Sequence, residues 1–74
     1  MSNETIFING LYQHYKGKFY IVLELCKMTE TNEIGVLYYQ VGNPELTYCR
    51  PVSSFIENVE DKKRFKYIGA TRNK

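Results

Sequence analysis

The chain has 74 residues, enough for one domain with one core and too few for a second. A hydrophobic fraction of 43%, with seven tyrosines and four phenylalanines, supplies a packed interior and excludes a disordered chain. Ten basic residues against eight acidic give a formal net charge of +2, far from the footprint of a non-specific nucleic-acid binder.

In chain order, residues 1–9 read as a flexible or loosely packed segment in which Ile6-Phe7-Ile8 is a short apolar patch. It stops at Asn9-Gly10, a turn signal that opens the ordered body. No basic stretch leads into a long apolar run, so neither signal peptide nor membrane helix is expected and the setting reads as cytoplasmic. Residues 11–16, if extended, carry Tyr12, His14 and Lys16 on one face and Leu11, Gln13 and Tyr15 on the other. The period does not say which face is buried.

After a turn at Gly17-Lys18, residues 19–28 are dense in β-branched and aromatic side chains over a length that suits one long, bent strand. Residues 29–33 combine turn formers and charge, with Asn32 near the tip of a hairpin leading into a second β run over 34–41. Its Tyr38-Tyr39 pair must point to opposite faces, which sends at least one ring to the surface. Gly42-Asn43-Pro44-Glu45 reads as a loop, because Pro44 cannot donate to a ladder and Gly42 and Asn43 tolerate positive φ. A short strand over 46–50 follows, then a helical turn over 51–56 with proline at its start and serines able to cap it. Residues 57–64 are polar, and Phe65-Lys66-Tyr67-Ile68 alternates as a final strand before a tail over 69–74. The inventory predicts an all-β domain over 10–68, a small SH3-like barrel of about five bent antiparallel strands with one short helical turn. A small open α+β sheet is the alternative.

Several motifs occur in a fixed order: Gly10-x-Tyr12-x-His14-Tyr15-Lys16-Gly17-x-x-Tyr20-x-Val22, Glu30-Thr31, Val36-x-Tyr38, Arg50-Pro51-x-x-x-Phe55-x-Glu57-x-Val59 and Arg64-Phe65-x-Tyr67-Ile68. Together they resemble a small bacterial family of uncharacterised domains, marked by a Y-x-H-Y-K-G-x-x-Y opening and an R-P-x-x-x-F-x-E centre. The resemblance implies an SH3-like barrel in a bacterial, cytoplasmic protein and supplies no activity, substrate or catalytic residue. That family places a histidine shortly before the Glu-Thr pair, where this chain has Met28, so a two-histidine site does not carry over.

Candidate residues follow from their chemistry. His14, the only imidazole, suits a proton-transfer or pH-sensitive contact, or a structural ring bonded to backbone or carboxylate. Arg50 suits a bidentate grip on phosphate or carboxylate, or an internal ion pair with Glu57 or Glu30. Tyr12, Tyr38, Tyr39 and Tyr48, with Lys16 and Arg50 nearby, fit the recipe for a stacking surface that holds a peptide or single-stranded nucleic acid, or else belong to the core. Lys62, Lys63, Arg64 and Lys66 follow Glu57, Glu60 and Asp61 directly and read as a solvated charged face.

Cys26 and Cys49 have no C-x-x-C spacing and read as reduced, buried thiols, so no metal is expected. Ser53 and Ser54 lack a nucleophile elbow, and no phosphate loop or dinucleotide signature implies a cofactor. The reading that results is a non-enzymatic binding module that recognises a protein, peptide or nucleic acid through Tyr12, His14, Lys16, Tyr38 or Tyr39, and Arg50. Its alternatives are a small-molecule or nucleotide-handling activity using His14 and Arg50, and a self-associating accessory protein. A monomer or weak homodimer is expected.

Overall fold

Alternating apolar residues and turn formers divide the chain into strands that pair with their neighbours in sequence. The protein, seen in a computed structural model that describes residues 5–70, runs β1 (Gly10–His14), β2 (Phe19–Met28), β3 (Glu33–Gln40) and β4 (Asn43–Pro51). A short helix α1 (Val52–Phe55) comes next, then β5 (Asn58–Val59), β6 (Lys62–Lys63) and β7 (Phe65–Ala70). Five strands form an antiparallel sheet in the order β4-β3-β2-β1-β7, and β5 and β6 make a separate hairpin. The all-β architecture, the five bent strands and the single helical turn agree with the sequence reading. β4 and β7 stand at the two ends of the order and are not hydrogen-bonded to each other, so the ladder curls without closing.

Three irregularities bend the sheet: the register slips between Leu11 and Tyr12, between Val22 and Glu24, and between Tyr39 and Gln40. The second lies inside β2, whose length called for such a bend. The β3–β4 hairpin is tighter than the loop expected over 42–45, because Gln40 pairs with Asn43 across Val41 and Gly42, and Gly42 takes φ 96°. Pro44 fits within β4 because β4 is an edge strand, where a missing N–H can face outward.

The β5–β6 hairpin was not legible in the polar stretch over 57–64. Its turn residues Glu60 and Asp61 both adopt positive φ, 54° and 68°, without the Asn or Gly that signals such a turn. Arg64 N donates to Glu57 O at its base, and Tyr15 N donates to Arg64 O, which ties the hairpin to the end of β1.

Tyr12, Val22, Val36, Tyr38, Phe55 and Phe65 form the buried core. α1 exists to deliver Phe55: its ring stacks on Phe65 at 4.2 Å with planes 4° apart. Pro51 starts this turn, but neither serine caps it. Ahead of β1, Ile6 packs against the core, Phe7 stacks on Tyr67 at 4.3 Å, and Phe7 N donates to the Tyr12 hydroxyl at 3.0 Å. These contacts belong to the segment expected to be loosely packed, of which residues 1–4 lie outside the described residues, as do 71–74 of the tail. β7 itself runs on to Ala70. Among the described residues no helix is long and apolar enough to cross a membrane.

Candidate functional site

Strand register gathers residues that are distant in sequence. β1 pairs with β7 so that His14 is opposite Phe65, and β3 pairs with β4 so that Tyr38 is opposite Tyr48 and Val36 opposite Arg50. Period-two alternation then puts Tyr38, Tyr48 and Arg50 on the core face, with Tyr20 on the same face as Val22. The result is a cavity of about 150 Å³ lined by His14, Tyr20, Tyr38, Tyr48, Arg50 and Phe65. At roughly 30 Å³ per water, it holds a small head group and not a whole nucleotide.

Aromatic rings build its walls. Tyr38 and Tyr48 stack at 5.5 Å, and Tyr20 meets Tyr38 edge-on at 5.5 Å and Phe65 edge-on at 5.5 Å. Such quadrupole-matched contacts fix ring orientation. Arg50 Nε donates to the Tyr38 hydroxyl at 3.1 Å and Nη1 to Ser54 Oγ at 2.9 Å, while its Cζ sits 5.8 Å from the Phe65 ring centre. Those bonds orient the guanidinium yet engage only part of its donor fork. Arg50 is therefore not held by Glu57 or Glu30; Glu57 instead forms an ion pair with Arg64.

His14 contacts Tyr15 at 4.6 Å and Phe65 edge-on at 4.9 Å. Lys16 N donates to its Nδ1 at 3.2 Å, so the neutral ring carries its proton on Nε2. Burial pushes the imidazole pKa below its ordinary 6.5, and the positive charges of Arg50, Arg64 and Lys16 push it the same way. Burial likewise raises the Tyr20 hydroxyl above 10.0, helped by Tyr48 and Tyr38. Near neutral pH the cavity thus holds a guanidinium, phenol hydroxyls and a neutral imidazole, and among the described residues no carboxylate lines it. It is a set of donors in search of an acceptor.

Sequence reasoning placed some of these residues and misplaced others. His14 and Arg50 do come together. Tyr12 and Tyr38 are each only 4% exposed, so neither offers an open stacking surface: Tyr12 belongs to the core, whereas Tyr38 is both a core residue and a wall of the cavity. Tyr39 lies on the opposite face of β3, paired with Ile21 and Thr47. Lys16 is exposed and offers the site its backbone N–H, its ammonium lying 5.9 Å from the Tyr15 ring centre. Tyr20 was missed, although its spacing of two from the apolar Val22 is the signal that would have found it. Among the described residues no three His, Cys, Asp or Glu side chains group as metal ligands.

Comparison with known proteins gives a family and a fold. Residues 10–67 match the family described as "Protein of unknown function (DUF1653)". No curated protein matches the chain. A crystal structure of a protein belonging to DUF1653 from Bordetella bronchiseptica is similar at a TM-score of 0.72 and 29% identity, covering 92% of this chain and 95% of that one.

Proposed function

We propose, from the premise that the chain belongs to the DUF1653 family of proteins of unknown function, that it is a binding module whose pocket takes an oxyanion group of its ligand. The observation that carries this reading is the convergence of His14 and Arg50 with Tyr20 and Tyr48 on one concave cavity that no carboxylate lines among the described residues. A guanidinium already oriented by Tyr38 and Ser54 pays little ordering entropy on gripping phosphate or carboxylate. The phenols and the imidazole supply further donors, and the aromatic walls lower the local dielectric that weakens such bonds in water. A cavity of this size selects a phosphate monoester or a chain-terminal carboxylate, with the remainder of the ligand lying outside.

The test is an NMR titration with nucleoside monophosphates, 5′-phosphorylated oligonucleotides and peptides with free C-termini, following the His14 ring and Arg50 Nε. Saturable shifts at His14, Tyr20, Tyr48 and Arg50, absent in Arg50→Met, are the expected result. A well-dispersed spectrum that none of these ligands moves would overturn the reading. A second reading, in which His14 acts as acid or base with Arg50 as anion clamp, draws on the same concave geometry. It requires turnover of a bound ester that Gln at position 14 abolishes while binding survives.

A further inference from the structure

The opposite face of the sheet carries a separate cluster. β2 and β4 flank β3, and on the face away from Val36 and Tyr38 the register puts Cys26 across from Gly35 and Cys49 across from Leu37. Gly35 is what lets the sulfurs meet. A Cβ there would lie 3.1 Å from Met28 Sδ and 3.2 Å from Cys26 Sγ, so both sulfurs occupy the space a side chain would fill. Cys26 Sγ in turn comes within 3.8 Å of Cys49 Sγ, and both thiols are free. Cys49 is exposed, which opens the cluster to solvent and corrects the expectation of two buried thiols.

The strand order works against a direct sulfur–sulfur bond. Cα atoms two strand steps apart stand roughly 9–10 Å from each other even in register, and Cys26 and Cys49 are offset by two residues along β3, whereas a disulfide spans about 4.4–6.8 Å. A bridging ion removes that mismatch. Two sulfurs each about 2.3 Å from one ion, at an angle between tetrahedral and trigonal, stand roughly 3.8–4.0 Å apart. Thiolate and thioether together make a soft donor set, which favours copper(I) over harder cations.

We propose that Cys26, Cys49 and Met28 form a binding site for a single copper(I) ion seated over Gly35. The two thiol protons leave to solvent as the ion binds, and the metal keeps its oxidation state. The site is independent of the oxyanion pocket, since β3 presents the two on opposite faces.

The test is an anaerobic titration of the full chain with copper(I) against a chromophoric copper(I) chelator. One equivalent should be withdrawn from the chelator. Cys26→Ser and Cys49→Ser should each weaken binding by at least the roughly 10–100-fold that loss of even an outer-shell partner costs. Met28→Leu should weaken it less while leaving the circular dichroism spectrum unchanged. Gly35→Ala keeps all three ligands but displaces them, and it too should bind copper more weakly. Failure to compete, undiminished binding by Cys49→Ser or Met28→Leu, preference for zinc, or an internal disulfide formed readily by diamide would each overturn the assignment.

Discussion

Two cavities share the Phe65 ring, and they differ in what they ask of a ligand. One, of about 330 Å³, is lined chiefly by apolar and aromatic residues, among them Ile6, Phe7, Tyr12, Ile56 and Tyr67. The other is smaller and lined by His14, Tyr20, Tyr48 and Arg50, with Phe65 common to both. In the first, the segment ahead of β1 packs against its own domain, and Phe7 on Tyr67 and its N–H on the Tyr12 hydroxyl engage the groups that line it. In the second, the donors converge with no acidic side chain among the described residues to meet them. On the proposed reading the aromatic residues between them serve stability on one side and recognition on the other, and variants should separate the two.

The largest effect is expected at the shared ring itself. Phe65→Ala removes a buried ring that stacks on Phe55 and touches both cavities, at a cost of about 3–5 kcal/mol. A fold of this length is worth only about 4–11 kcal/mol in total. Urea denaturation should show the midpoint collapse, and because Phe65 also walls the smaller cavity beside His14 and Arg50, affinity per folded molecule should fall with it.

Arg50→Met comes next and, paired with Tyr38→Phe, separates recognition from stability. It leaves the hydroxyl of Tyr38, a residue only 4% exposed, without the Nε–H that donates to it, a loss of about 1–3 kcal/mol. Adding Tyr38→Phe removes the stranded hydroxyl as well and should restore most of that stability. Oxyanion binding should stay lost in the double variant. If it returned with stability, Arg50 would be a structural residue and the cavity would have no anion clamp.

On the apolar side a smaller loss is expected. Phe7 is 43% exposed, so Phe7→Ala gives up only part of a ring's burial, on the order of 1 kcal/mol, through its contact with Tyr67. Thermal unfolding should shift by a few degrees with ligand affinity unchanged. A change in affinity would show that the two cavities are coupled through Phe65.

How much of this was legible in the sequence depended on whether a residue's fate is decided locally. The bent β2, the turn at Asn32 and the delivery of Phe55 by a helical turn after Pro51 all follow from length, spacing and turn chemistry within a few residues. Arg50 and His14 were legible as candidates because each is a rare chemical type in this chain. Which tyrosines face inward was not, since residues 11–16 put an aromatic and a polar residue on each face and only the pairing of β1 with β2 and β7 selects Tyr12 for the core. The β5–β6 hairpin escaped for a related reason. Glu60 and Asp61 are poor residues for positive φ, and the conformation is held by the pairing of Asn58 with Lys63 and Val59 with Lys62.

The smallest and most specific effect is the pH dependence of His14. Burial, with Arg50, Arg64 and Lys16 nearby, lowers its folded pKa below 6.5, so between the two values the unfolded chain binds more protons than the folded one. Stability from this group is therefore complete above about pH 6.5, declines as pH falls through that value, and stops declining below the folded pKa. His14→Gln should remove this component, which appears as the difference between wild-type and variant unfolding free energies measured from about pH 5 to pH 8. A bound oxyanion reverses the sign at the same ring. Its negative charge favours the imidazolium, raises the His14 pKa, and makes affinity climb as pH falls through the ring's titration while the ligand keeps its charge. Phosphate monoesters measured beside a permanently charged sulfate ester separate the ring's titration from the ligand's own. Affinity for the sulfate ester that rises at low pH in the wild type and stays flat in His14→Gln would place the imidazole against the anion. Flat affinity in both would leave Arg50 and the phenols as the binding groups and His14 as part of the wall.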